Sequence, residues 1–309
     1  MTDSDVQQLL SMKDVVEEAF KSKAANALVS PPRFHVDIQK GSLVFTAGAE
    51  VRDRKVIGLR VYDTFHSDSK TSTDKEQLVS VFDSETGNFK GVVIGNSIGA
   101  MRTGALGGVA IKYLSSPESN SVGIIGSGFQ ARTQLMAACA VRDIKIVKVF
   151  SPNEKNRDTF ASEMSESLSI VVKAVSSAEE AVRDADILIC ATSSNTPVFE
   201  AGWLKDGVHI NTVGPKLIND HEISVETAEK CQIICTDSLT QLDAYNPPYF
   251  LRATTSMERV IDLSEIVAGR KSSRASLNEI SLFLSVGLSG TEVLVADAAI
   301  IKANQQDLK

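Results

Sequence analysis

Apolar residues recur at three- and four-residue spacing over residues 3–28. Leu9, Leu10, Met12, Val15, Val16, Ala19 and Phe20 follow an Asp/Ser-rich start able to cap a helix. Pro31-Pro32 forbids continuation and forces extended backbone. The period then changes. Residues 33–39, 43–49 and 56–62 form short runs rich in β-branched and aromatic side chains. Lys40-Gly41-Ser42 and Arg52-Asp53-Arg54-Lys55 separate them, as in an antiparallel meander. Residues 78–82 and 89–94 repeat the pattern around Asp83-Ser84-Glu85-Thr86-Gly87-Asn88, which reads as a hairpin turn. Residues 97–114 return to helix, with enough Ala and Gly for close packing against another element.

From residue 121 the grammar is different. Short apolar runs at 122–125, 146–150, 171–175, 187–192, 209–213 and 232–235 alternate with helical stretches that include 154–166 and 177–183. That alternation predicts parallel strands covered on both faces, a doubly wound α/β sheet over roughly 116–285. Residues 282–303 read as a final helix with no strand of its own, expected to return to the first domain. The domains so expected are 116–285, a Rossmann dinucleotide-binding domain, and 1–115 plus 286–309, an α+β domain into which it is inserted.

Gly126-Ser127-Gly128-Phe129-Gln130-Ala131 stands between the first of these strands and its helix. Gly126 permits the tight turn, Gly128 lets backbone approach a pyrophosphate, and Ala131 lets the helix sit close to the sheet. The amides of the helix start then face the diphosphate. An NAD site wants an acid at the end of the second strand, about 20 residues on. Here that strand ends Phe150-Ser151-Pro152-Asn153-Glu154-Lys155-Asn156-Arg157, without a carboxylate at its tip. Ser151, Asn153 and Asn156 can hydrogen-bond a 2′-phosphate, with Lys155 or Arg157 as counter-charge, so NADP(H) is favoured over NAD(H). Glu154 stays open as a ribose ligand.

Composition narrows the partners. The 309 residues are 43% hydrophobic and 23% charged with a net charge of −7, ordinary for a globular chain of about two domains. No basic block suggests nucleic acid or a polybasic membrane surface, and no run approaches the roughly 18 apolar residues of a membrane span. The polar start shows no leader, which points to the cytosol. Cys139, Cys190, Cys231 and Cys235 do not form a disulfide framework. Cys231 and Cys235 lack a second ligand pair, so no metal is expected and buried thiols are the reading.

Several of these segments together resemble the ornithine cyclodeaminase/mu-crystallin family. They are Pro32-Arg33, the hairpin ending in Gly87, Ala100-Met101-Arg102-Thr103, the glycine turn at 126–131, Asp186-Ile187-Leu188-Ile189-Cys190-Ala191-Thr192, Pro197, and the stretch from Trp203 through His209-Ile210-Asn211-Thr212-Val213-Gly214. The resemblance runs in order over nearly the whole chain. It implies a homodimer and hydride transfer between a nicotinamide and a carbon bearing nitrogen and a carboxylate. By position it implies that Arg33 and Arg102 clamp the substrate carboxylate, and that Thr103, Ala191, Thr192 and Val213 touch the cofactor. The dimer also follows from the residues, because only two helices are available to cover the apolar antiparallel strands.

Two departures from the family matter. Gly58-Leu59-Arg60 replaces its usual Gly-x-Lys; an arginine holds its proton, so Arg60 suits a substrate clamp better than an acid. Lys216 stands where the cyclodeaminases have a catalytic aspartate, and can protonate an imine nitrogen or bind a second carboxylate. Asp220, His221 and Glu222 follow, any of which can restore an acid or base, and His35 and His66 are weaker candidates. The expected function is therefore NAD(P)H-dependent reduction of a carboxylate-bearing imine or ketimine to an L-amino acid, with Lys216 and Arg60 as the catalytic pair. Four cations, Arg33, Arg60, Arg102 and Lys216, would suit a dicarboxylic imine. The alternatives are an ornithine cyclodeaminase-type lyase and a mu-crystallin-like NADPH or small-molecule binding protein.

Overall fold

A computed structural model describes residues 3–65 and 77–306. The first helix, α1 (Asp3–Ala24), ends before the predicted boundary, where Asn26 adopts φ 57° and turns the chain. The strands β1 (Leu28–Val29), β2 (Phe34–Ile38), β3 (Gly41–Glu50), β4 (Val56–Asp63), β5 (Gln77–Asp83) and β6 (Phe89–Gly95) follow. They form the expected antiparallel meander in the order β1-β3-β4-β5-β6, with β2 also paired to β3. The predicted hairpin turn is present. Asp83 accepts the Thr86 amide at 2.7 Å, and Gly87 has the positive φ of 72° the turn requires. Helix α2 (Ser97–Leu114) comes next.

The alternating part runs β7 (Ser121–Ile125), α3 (Phe129–Cys139), β8 (Ile146–Phe150), α4 (Glu154–Leu168), β9 (Val171–Ala174), α5 (Ala178–Val182), β10 (Ile187–Cys190) and β11 (His209–Thr212). Then come β12 (Lys216–Leu217), β13 (Asp220–His221), α6 (Val225–Lys230), β14 (Ile233–Thr236), α7 (Leu239–Asp243), β15 (Val260–Asp262), α8 (Leu263–Val267), β16 (Ser281–Leu284) and α9 (Thr291–Gln306). Eight parallel strands lie in the order β15-β14-β16-β11-β10-β7-β8-β9. The order reverses between β7 and β10, and open α/β sheets bind ligands in the crevice at such a point. Contacts divide the chain into one unit built on Thr103–Val286 and another on Asp14–Arg102 with Gly287–Lys309.

One reading is corrected. Residues 282–303 are not a continuous helix: Ser281–Leu284 is a fully buried strand in the middle of the parallel sheet, between β11 and β14. A four-residue apolar run cannot be told from buried helix by its period alone. Gly287 and Gly290, at φ 95° and 90°, then turn the chain before α9 begins. The small pair β12–β13, the strand β15 and the short helices α6, α7 and α8 also escaped the sequence reading.

In the antiparallel unit the side chains sort by row. Phe34, Phe45, Val61, Leu78 and Ile94 are successive cross-strand neighbours on one face. Phe34, Leu78 and Ile94 in this row are exposed. Thr46, Arg60, Val79 and Val93 form a row of opposite orientation. Helix α9 packs on β3, β4, β5 and β6. It comes close because Gly48 and Gly58 leave room; a Cβ on Gly48 would stand 2.5 Å from Gly290 Cα.

In the parallel unit a buried polar chain crosses the apolar layers. His209 Nδ1 bonds Ser281 Oγ at 2.9 Å and its Nε2 bonds Asn211 Oδ1 at 2.8 Å. Asn211 Nδ2 donates to the Gly107 carbonyl at 3.1 Å and to Gln134 Oε1 at 3.2 Å, and Gln134 donates to the Thr103 carbonyl at 2.9 Å. The chain thus ties β11 and β16 to α2 and α3. Burial pushes the His209 imidazole down to about 3, against an ordinary value of 6.5. The unfolded chain therefore takes up this proton first. Stability from this group is complete above about pH 6.5 and is lost as pH falls toward 3, with a slope of at most about 1.4 kcal/mol per pH unit. Urea midpoints measured from pH 7.5 to 5 should fall in the parent chain and fall less in His209→Gln; equal slopes would contradict the assignment.

Candidate functional site

The turn after β7 has the geometry of an anion cradle. Gly126 has φ 106°, and a Cβ there would lie 2.3 Å from the Ala191 carbonyl at the end of β10. A glycine is therefore required where the reversal in strand order occurs. A Cβ on Gly128 would meet nothing within 4 Å, so its surface is open to an incoming group. Gly128 caps α3 without a side-chain hydrogen bond, which leaves the first amides for a ligand, and Ala131 is fully buried against the sheet. These features fit a dinucleotide diphosphate. Ser127 offers its carbonyl to Arg132 at 2.8 Å, and Phe129 and Gln130 open the helix half-buried.

The tip of β8 is organised before any ligand arrives. Asn153 Oδ1 caps α4 by accepting the Asn156 amide at 2.9 Å, so that oxygen is committed to the helix start. Ser151 is buried, and its carbonyl accepts from Arg157 at 3.1 Å. Glu154 and Lys155 are exposed.

Glu222 has a role other than the acid–base one considered from the sequence. Fully buried, it accepts the Thr192 amide and hydroxyl at 3.0 and 2.8 Å, the Val213 amide at 3.1 Å and the Gly214 amide at 2.6 Å. One carboxylate thus joins the chain leaving β10 to the chain leaving β11, holding Ala191, Thr192 and Val213 at the strand ends. Lys216, 2% exposed, donates from Nζ to the Gly214 carbonyl at 2.7 Å. His221 faces it across the β12–β13 pair, stacks on Phe250 and bonds the Leu217 carbonyl at 3.0 Å.

In the antiparallel unit, two of the three predicted clamps come together on a residue the sequence reading missed. Glu292, at the start of α9 and 1% exposed, accepts Arg60 Nη1 at 3.1 Å and Arg102 Nη2 at 2.6 Å, both on Oε1. Arg60 is 7% exposed and Arg102 6%. Gln77 Oε1 accepts Arg60 Nε at 3.0 Å, and the guanidinium lies 4.2 Å from the Tyr62 ring centroid. Arg102 Nε is buried with no hydrogen-bond partner among the described residues. Burial lowers the Arg60 guanidinium; the Glu292 charge opposes this and the Arg102 charge adds to it. Burial alone would raise the Glu292 carboxyl, but Arg102 and Arg60 together hold it below the usual carboxylate range. Gly99 makes the room, since a Cβ there would stand 2.3 Å from Arg60 Nη2.

Of the remaining candidates, Arg33 is half-buried just before β2, and His35 is exposed on that strand. His66 lies outside the described residues. Arg102 and Thr103 are consecutive in α2 but fall in different units. All four cysteines are free; Cys190, Cys231 and Cys235 are buried and Cys139 half-buried. Among the described residues no His, Cys, Asp and Glu cluster suits a metal ion, and no helix is long and apolar enough to cross a membrane.

A doubly wound parallel sheet with an uncapped glycine turn at its switch point defines a nicotinamide dinucleotide-binding protein. The chain belongs to the ornithine cyclodeaminase/mu-crystallin family, whose model matches residues 1–306. It is 32% identical over 304 residues to the alanine dehydrogenase of Archaeoglobus fulgidus, covering 96% of this chain and 92% of that one. Among solved structures it resembles Delta(1)-pyrroline-2-carboxylate reductase of Thermococcus litoralis, held with NADH and L-proline, at 34% identity and a TM-score of 0.88. That match covers 99% of this chain and 98% of the other. It also resembles an archaeal alanine dehydrogenase dimer with bound NAD, at 30% identity and a TM-score of 0.86, covering 99% and 96% of the two chains.

Proposed function

We propose that the chain reduces an imine or ketimine bearing a carboxylate to an L-amino acid, and runs in reverse as an L-amino-acid dehydrogenase. It is a nicotinamide-dependent oxidoreductase acting on C–N bonds. The observation that carries the substrate assignment is the buried Arg60–Glu292–Arg102 cluster with its unpartnered Arg102 Nε. Membership among alanine dehydrogenase and pyrroline-2-carboxylate reductase relatives supports the same chemistry.

The reduced nicotinamide supplies the hydride that the imine carbon accepts. The chain's own residues fix the substrate and hold a proton. Arg102 and Arg60, with Arg33 as a further clamp, take the carboxylate and orient the adjacent carbon. Lys216 carries the proton at Nζ that the imine nitrogen takes up, and solvent returns it afterwards. Arg60 keeps its proton throughout, so its part is anchoring. Gly126, Ser127, Gly128, Phe129, Gln130 and Ala131 receive the diphosphate. Thr103, Ala191, Thr192 and Val213 receive the nicotinamide end, with Glu222 fixing the two strand ends.

For the cofactor we place NADPH ahead of NADH. The support is the tip of β8, which ends without a carboxylate and has Ser151, Asn153, Asn156 and Arg157 around it. The solved relatives named above hold NADH or NAD, so the preference rests on these residues alone. We also propose a homodimer. One archaeal relative is a dimer, and the exposed row through Phe34, Leu78 and Ile94 is an apolar surface that a second copy would cover.

The decisive assay is kcat/KM with NADPH and NADH over pyrroline-2-carboxylate, piperideine-2-carboxylate, iminosuccinate, and pyruvate plus ammonia. Turnover of at least one monocarboxylic imine with a higher value for NADPH is expected. Lys216→Met should lower kcat about 100-fold with cofactor binding retained. Oxidation of neither cofactor with any substrate would overturn the reading; an NADH preference would overturn only the cofactor assignment. Sedimentation at micromolar concentration should give the dimer mass, and a stable monomer would contradict the proposed assembly.

A further inference from the structure

Arg60 and Arg102 carry two positive charges into a place where both are more than nine-tenths buried, and Glu292 returns one negative charge. The cluster therefore keeps one net positive charge. Buried charge is costly unless matched, so the cluster is complementary to one further anion and no more. The donors agree with the charge. Arg60 has Nε on Gln77 and Nη1 on Glu292, and Arg102 has Nη2 on Glu292, while Arg102 Nε is buried and unpartnered among the described residues. One carboxylate completes both accounts. A second carboxylate at the same cluster would reverse the local sign to one net negative charge.

We propose that Glu292 is a specificity-determining residue: by neutralising one of the two buried arginines it restricts the substrate to a single carboxylate at this cluster. The inference rests on the reading of these arginines as the substrate clamp, and it replaces the dicarboxylic imine suggested by counting cations along the chain. Glu292 acts through Arg60 and Arg102 and need not touch the substrate. Its position is fixed locally. It follows Thr291, whose hydroxyl bonds the Leu288 carbonyl at 2.6 Å, in the first turn of α9. Removing its charge while keeping its shape should raise the cluster to two net positive charges, which suits a dianion.

The test compares ligands that differ by one carboxylate. Calorimetry with pyrrole-2-carboxylate and pyrrole-2,5-dicarboxylate gives the binding ratio, and reductive amination of pyruvate against oxaloacetate gives the kinetic ratio. The parent chain should favour the monocarboxylate, and Glu292→Gln should shift both ratios toward the dicarboxylate by about tenfold or more. A folded Glu292→Gln with the parent's ratios would overturn the proposal, because a merely structural carboxylate would change affinity or stability without changing selectivity. If Glu292→Gln does not fold, Arg60→Gln and the double variant Arg60→Gln/Glu292→Gln decide. The single variant, with zero net charge, should lose monocarboxylate affinity about tenfold, and the double variant, restored to one positive charge, should regain it. Failure of the double variant to recover would overturn the proposal. If the parent chain binds and converts neither ligand of either pair, the clamp reading fails as well; if it binds them and only Glu292 is without effect, the clamp stands alone.

Discussion

The buried carboxylate of Glu292 sets the terms for the antiparallel unit. An ion held away from water costs several kcal/mol unless a partner of opposite sign meets it with good geometry. Arg60 from β4 and Arg102 from α2 meet it together, so three elements far apart in sequence are joined at one oxygen. The surrounding small residues follow from that requirement. Gly99 leaves space for the Arg60 guanidinium, and Gly48 and Gly58 let α9 lie against the strands. Further along α9, Asp297 pairs with Lys90 at 2.6 Å and with Arg54 at 3.6 Å. The helix is thus fixed to its sheet by buried carboxylates at two points as well as by apolar contact.

The parallel unit uses the same device. Glu222 gathers donors from the ends of β10 and β11, as Glu292 gathers guanidinium groups. In both cases a buried carboxylate is satisfied completely by groups whose placement matters for chemistry: strand ends that receive a cofactor, and arginines that receive a substrate carboxylate. A half-satisfied arrangement would be worse than an apolar one. The carboxylates noticed in the sequence as possible bases therefore act as fixed points. Lys216 is the group left to carry a proton.

Much of this was legible in the chain. Gly126 and Gly128 announced the cradle because turn geometry, backbone approach and helix packing each demand a small residue at a known spacing. Arg102 stood out because a charge within a run of Ala, Gly and Met needs a purpose. The same argument applies to Glu292, which opens the apolar stretch Glu292-Val293-Leu294-Val295-Ala296, but it was not applied there. The error over residues 281–284 explains why. With the strand read as helix, α9 appeared to begin ten residues early, and Glu292 fell in its middle without a distinct place. Strand and buried helix look alike over four apolar residues, and only the tertiary pairing of β16 between β11 and β14 separates them. The partners of Glu222 were invisible for a related reason: a carboxylate that binds backbone amides leaves no complementary side chains to find.

The central claim is that Glu292 holds Arg60 and Arg102 as a singly charged receptor for one substrate carboxylate. A crystal structure of the chain with a nicotinamide dinucleotide and pyrrole-2-carboxylate tests it most directly. The account predicts the ligand carboxylate on Arg102 Nε, with Glu292 still bridging both arginines. A carboxylate bound away from Arg102 and Arg60, or a Glu292 released from them in the complex, would contradict it.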